Sequence, residues 1–274
     1  LDVFSVKHPD TQPGLDRESS WRNYPVSEHV AMLFLKGSDL VEKCVHRGSG
    51  IETYTLPYFA GELTALKAQT LYEAIQSIDP DSDAGHENVP MARVTYDIQE
   101  SSDPEVRALE DEIRFYTASL PIGDDKHIIA EEPAADTYWL NELVRAFTET
   151  VTSATLSPVD GGFETFENWD FLDDCASIMT AQPDEQRLKG FGMIVSGDFT
   201  NAAFPRYDEE GDDFRRIIDH RLITGKPVDA SVLIDAYMQR WSDEFDGEGS
   251  VPPQIPAQQL IHLETISRAG LLKG

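Results

Sequence analysis

EIRFYTASLPIGDDKHIIAEEPAADTYWLNELVRAF, residues 112–147, decides the fold. Ile113 to Leu120 is rich in β-branched and aromatic residues and reads as a strand. PIGDDK (121–126) is a turn, and His127 to Glu131 is the returning strand of a hairpin. Asp136 then caps a helix whose apolar stripe is Leu140, Leu143, Val144, Phe147 and Val151. An antiparallel hairpin running straight into an amphipathic helix is an α+β signature.

The flanking sequence extends the pattern. Upstream, Ser27 caps a helix with Val30, Leu33, Phe34, Leu40, Val41 and Cys44 at helical spacing. Ile51 to Phe59 reads as a strand, with Pro57 suggesting an edge. Glu62 to Ile78 is an amphipathic helix. Arg93 to Ile98 alternates Val94, Tyr96 and Ile98 with Arg93, Thr95 and Asp97, which predicts a strand. Downstream of SPVDGG (157–162) the pattern becomes helical: Trp169, Leu172, Cys175 and Met179; Leu188 to Val195, a short apolar helix or buried segment; Phe214 to Leu222, closed by Gly225 and Pro227; Val232 to Trp241, capped by Asp229; and Leu260 to Leu271. The expected organisation is an extended arm at 1–26, a mixed α/β domain with a short antiparallel sheet at 27–156, and a helical bundle at 165–274.

Of the 274 residues, 50 are acidic and 22 basic, a net charge of −28. The acids are spread along the chain, and there are 8 lysines against 14 arginines. Such a surface suits multimolar salt, where the Debye length is about 3 Å and self-repulsion is screened. The other reading of the charge is DNA mimicry or cation binding. Screening removes repulsion between distant charges, so the net charge does not exclude a nucleic-acid partner. The same salt weakens contacts made by counterion release.

No apolar run reaches the ~18 residues of a membrane span. The start, LDVFSVKHPD, has neither the basic nor the apolar region of a secretory signal, and it lacks an initiator Met, as a trimmed chain or part of a longer protein would. The expected location is cytoplasmic. Cys44 and Cys175 both fall in helix-like apolar patterns and read as free buried thiols.

Catalytic patterns are sparse. None of the seven histidines pairs with another at i+3 to i+5, and two cysteines so far apart make no zinc ribbon. DPDSDAGHENVP (79–90) fails as a calcium loop, with Ala84 at the sharp-turn glycine and Pro90 at the bidentate glutamate. The glycines of GFGMIVSGD (190–198) lack phosphate-loop spacing and a following lysine. The expectation is no enzyme, no metal and no cofactor. The cations that could meet phosphate are Arg215, Arg216, Arg221, Lys226 and Arg240; Arg17 and Arg22 flank Trp21, and Arg187 and Lys189 adjoin the glycine-rich segment. The alternative for these arginines is a solvated helix face with ion pairs such as Asp212 or Asp213 to Arg216.

Six stretches, taken in order, resemble one family: SWRNYPVSEHVAMLFLKGSDLVEKC (20–44), YTLPYFAGELTALKAQTLYEAI (54–75), residues 112–147 quoted above, IVSGDF (194–199), ITGKPVDASVLIDAYMQRW (223–241) and AQQLIHLETISRAGLL (257–272). They are similar to the large subunit of type I-B CRISPR Cascade complexes, particularly haloarchaeal members. The resemblance implies a non-catalytic subunit of an antiviral effector complex. It would help hold target DNA opposite a guide RNA (crRNA), whose pairing supplies sequence specificity. Its implied partners are the backbone and small subunits of Cascade, crRNA, target DNA and a helicase-nuclease recruited in trans, with no membrane. Family members are much longer, so this chain would be a fragment or shortened member. No residue reading the protospacer-adjacent motif carries over. Residues 165–274 resemble the helical bundle that ends the family's large subunits. Two other classes share the composition: a structural protein of a haloarchaeal virus, and a hydrolase using scattered carboxylates and a divalent metal.

Overall fold

The hairpin forms as the sequence predicts, with its return strand shifted. In the computed structural model β3 (Ile113–Pro121) pairs antiparallel with β4 (Ala130–Ala135), with an irregularity between Phe115 and Thr117. The structure describes residues 27–48, 51–79, 89–122, 128, 130–153, 170–204, 212–245 and 251–274. Residues 123–127 of the expected turn and return strand, the expected arm at 1–26, residues 80–88 of the expected acidic loop and the expected boundary at 157–162 lie outside the described residues. Two units are delimited, Leu1–Lys43 and Cys44–Gly274.

In the first unit, α1 (Glu28–Lys43) begins where Ser27 Oγ accepts the amide of Val30 at 3.3 Å, the expected cap.

In the second unit, β1 (Val45–Gly48), β2 (Ile51–Phe59), β3 and β4 form a four-stranded antiparallel sheet in sequence order. The register sets Val45 opposite Tyr54 and Leu56 opposite Tyr116. Pro57 lies inside a central strand, yet β1 ends its pairing at Tyr54. The amide of Thr55 points to Cys44 of that side, and residue 57 faces the same way, where no strand continues. The missing N–H of Pro57 therefore costs no ladder bond, so the edge reading holds locally.

Thr64 caps α2 (Ala65–Gln76), its hydroxyl accepting from the amide of Lys67 at 3.3 Å. The buried Lys67 ammonium bridges the Glu62 carbonyl and the Glu112 carboxylate over the Phe59 ring, tying α2 to the sheet.

Residues 93–98 are not a strand. They belong to α3 (Pro90–Gln99), which packs on β2, α2 and a later helix. Pro90 at the first helical position fixes a helical φ. The buried residues Met91, Val94, Thr95 and Ile98 run i, i+3, i+4, i+7. Over six residues, period 2 and period 3.6 share Val94 and Ile98, and tertiary packing selected the longer period.

The core centres on α4 (Thr137–Val151), capped by Asp136 as expected through a 3.1 Å bond to the amide of Tyr138. The Phe147 ring meets Phe199 edge-on at 5.2 Å and Phe171 at 6.4 Å. Around α4 pack α5 (Asp170–Thr180), α6 (Pro183–Val195), α8 (Asp212–Ile223) and α10 (Gln254–Arg268). Gly190 lets α6 approach closely: a Cβ there would lie 3.3 Å from Val144. Short α7 (Asp198–Ala203) follows α6, and α9 (Ala230–Glu244) starts from its expected cap, Asp229. A parallel pair not foreseen in the sequence, β5 (Val228–Asp229) with β6 (Leu272–Lys273), joins the start of α9 to the residues after α10. The fold is thus α+β: an antiparallel sheet with helices, then a mostly helical region. Both cysteines are free and buried.

Candidate functional site

The five cations expected at phosphate divide sharply. Arg215, Arg216 and Arg240 are buried, at 8%, 5% and 7% exposure. Arg221 is half-buried and donates through Nε and Nη2 to the Pro227 carbonyl, at 3.2 and 2.6 Å. Lys226 is half exposed and pairs with Glu132 of β4. Arg221 and Lys226 share one corner at the C-terminal end of α8; the other three face the interior.

Helix α8 buries a polar face. Arg215, Arg216, Asp219 and His220 are buried beside Ile218 and Leu222, whereas Ile217, placed in the expected apolar stripe, is 45% exposed. The receiving cradle is Ser196-Gly197-Asp198, the junction of α6 and α7. Gly197 has φ +85°. A Cβ on it would fall 2.7 Å from Arg216 Nη1 and 3.4 Å from Asp219 Oδ2, so the missing side chain makes room for the pair. Thr200 donates its hydroxyl to Asp219 at 3.1 Å, and Ser196 donates to Asp198 at 2.7 Å. The IVSGDF stretch thus serves as a socket for α8.

Burial pushes the Asp219 carboxyl up to about 7, against the opposing pull of Arg216 and the Thr200 hydroxyl. The sign follows from linkage. A carboxyl whose folded pKa lies above its ordinary value binds more protons folded than unfolded. Its stabilising contribution is complete below about 3.8, declines as pH rises, and is gone above about 7. Asp219→Asn cannot titrate. The melting temperature of this variant minus that of wild type should therefore rise from pH 4 to 7 and then level off. A flat difference would show that Asp219 ionises at its ordinary pH.

Two further contacts fix α8 and α9. His220 hydrogen-bonds the Glu131 carbonyl on β4, and burial lowers its pKa. Arg240 of α9 donates to the Ala202 carbonyl of α7. Beside it His262 lies against Phe199 and Phe204, at 4.6 and 5.2 Å, with Nδ1 2.6 Å from the Tyr237 hydroxyl. Burial holds that imidazole at about 3, so it is neutral near pH 7. The sequence hid these interior polar contacts, because hydropathy assigns arginine to the surface. The signal that could have exposed them is Gly197 opposite an Arg-x-x-Asp pair.

An open cleft of about 460 Å³ between α3, α4 and α6 is lined by amides and ion pairs, including Gln99, Asn141, Arg145 and Arg187. Among the described residues no group of three or more His, Cys, Asp or Glu is placed to hold a metal ion. Among them, too, no helix is long and apolar enough to cross a membrane.

The fold and its interior define an acidic α+β scaffold whose buried charges join helices to one another and to the sheet. No family model and no solved structure matches it. Over its whole length the chain is 57% identical to CRISPR-associated protein Cas8b of Haloferax volcanii, and it spans 38% of that protein. The chain is a homologue of Cas8b.

Proposed function

We propose that the chain acts within the large subunit of a type I-B Cascade complex, as a non-catalytic part that helps hold target DNA paired to crRNA in antiviral defence. The identity to Cas8b across the entire chain carries this reading. Its partners are the backbone and small subunits, crRNA, target DNA and a helicase-nuclease recruited in trans. Of the five cations, Arg221 and Lys226 are the ones whose position suits a phosphate contact, at a shared and partly exposed corner.

Capture of the tagged chain from its host in high-salt buffer, with mass spectrometry and RNA sequencing, tests the reading. Repeat-derived RNA of uniform length with other Cascade proteins is the expected result. Recovery of the chain alone in an RNA-free symmetric particle would overturn it in favour of a structural protein. Lys226→Ala breaks one exposed pair, worth no more than about 1 kcal/mol, so the fold should hold. In the assembled complex it should reduce the slope of log affinity against log salt by about 1 for duplex DNA. An unchanged slope removes Lys226 from the interface.

A further inference from the structure

The two faces of the sheet have different chemistry. Thr55, Phe59, Ile113, Phe115 and Thr117 are buried on the face turned to the core. Alternation and register place Tyr54, Leu56 and Tyr58 of β2 on the opposite face, across from Ala118, Tyr116 and Arg114 of β3. These include the tyrosines of YTLPYF, which sequence alone could assign equally to a core or an interface. Tyr58 is exposed; Leu56, Arg114 and Tyr116 are half-buried.

Hydrogen bonds hold two of the rings across the sheet. The Tyr58 hydroxyl donates to the Pro133 carbonyl at 2.9 Å, and the Tyr116 hydroxyl donates to the Glu131 carboxylate at 2.8 Å. Both acceptors are on β4. Tyr58 starts on β2, so its side chain must span β3 to reach Pro133, a distance of about two strand spacings. Anchored at its backbone and at its hydroxyl, the Tyr58 ring reaches across β3 toward β4 while remaining exposed. Arg114 stands directly opposite Tyr58. Its Nη1 donates to the Asp111 and Ile113 carbonyls, at 2.8 and 2.6 Å. Among the described residues Arg114 pairs with no carboxylate, whereas Arg47, Arg93, Arg145, Arg187 and Arg268 each do.

We propose that this face binds single-stranded nucleic acid, with bases stacked on Tyr58 and Tyr116 and a neighbouring phosphate on Arg114. Fixed aromatic rings beside a cation are the elements of a stacking platform. The charge balance favours this mode over a phosphate groove. In a chain of net −28, long-range attraction for a polyanion is absent, and in multimolar salt phosphate contacts weaken while base–ring stacking persists. Between the rings the face offers one large aliphatic residue, Leu56, and Arg114 and Glu131 set charge beside the rings. The inference rests on the effector reading for its ligand, a strand separated from its complement.

The test is fluorescence anisotropy of a labelled fifteen-residue oligothymidylate with the full chain in about 1 M KCl. The wild type should bind it, and an unlabelled duplex should compete poorly. Tyr58→Leu with Tyr116→Leu should weaken binding at least about tenfold, whereas Phe at both positions, which keeps the rings, should stay within about threefold. Photocrosslinking of a bromouridine-containing strand to the wild-type chain should label Tyr58 or Tyr116, a readout that needs no variant. No binding by the wild type, or unchanged affinity in a folded Leu pair, would overturn the platform. Co-purification with repeat-derived RNA in that case would leave the effector reading standing. Tyrosine-dependent binding without any co-purified Cascade protein would do the reverse.

Discussion

Arg216→Glu is expected to melt the protein at a markedly lower temperature before any nucleic acid is added. The guanidinium is buried, and its Nη1 converges with Asp219 on the space left by Gly197. A glutamate would bring a third carboxylate toward Asp219 and Asp198 inside the socket. Breaking a buried pair by removing one partner costs about 3–5 kcal/mol, because the other charge is left uncompensated. For a chain of this size, that is a drop on the order of 10 °C in melting temperature. Arg216→Lys keeps the charge but not the fork, and should lose less. Thermal melts of both in concentrated KCl decide it. A Glu variant melting within about 2 °C of wild type would mean that Arg216 is a solvated residue, as its sequence pattern suggests.

The second large effect belongs to Gly225. Its φ is +72°, and a Cβ there would lie 2.2 Å from Cγ of Trp139. Gly225 ends α8 in a Schellman pattern: its amide bonds the Leu222 carbonyl at 3.2 Å, and the amide of Lys226 bonds the Arg221 carbonyl at 2.8 Å. Gly225→Ala therefore pays twice, about 1–2 kcal/mol for the left-handed backbone and about 1–3 kcal/mol for displacing a rigid indole. Gly270 supplies the control, with φ +71° and nothing within 4 Å of its Cβ position. Gly270→Ala should show only the backbone part. Chemical denaturation of both variants separates the contributions. Equal losses would show that Trp139 does not require the glycine.

Local signals carried most of the fold. The caps at Ser27, Asp136 and Asp229 were legible because a short polar side chain before an apolar stripe has one strong use. The end of α8 at Gly225 was legible for the same kind of reason. Non-local choices were hidden. Residues 93–98 fit two periods, and only the partners of α3 separate them. Strand β1 was missed because Cys44 extended the helical stripe to its doorstep, and His46 and Arg47 carry no β signal. The candidate site was the least legible part. Arg215, Arg216 and Arg240 have the composition of a nucleic-acid patch and the positions of structural ties. Tyr58 and Tyr116 become neighbours of interest only once the register sets them on one face.

The β5–β6 pair has a kinetic consequence. Residues 228 and 272 are neighbours in the ladder, and the Val228 amide bonds the Leu271 carbonyl at 2.8 Å. The chain from β5 through α9 and α10 to β6 is thereby a ring closed by two residue pairs. So small a parallel ladder gains little until both helices are in place, because its loop-closure entropy must be met first. It should therefore form late and release early. On opening, α10 stays packed against α4 and α7, so the Val228 amide should exchange ahead of the amides of α10.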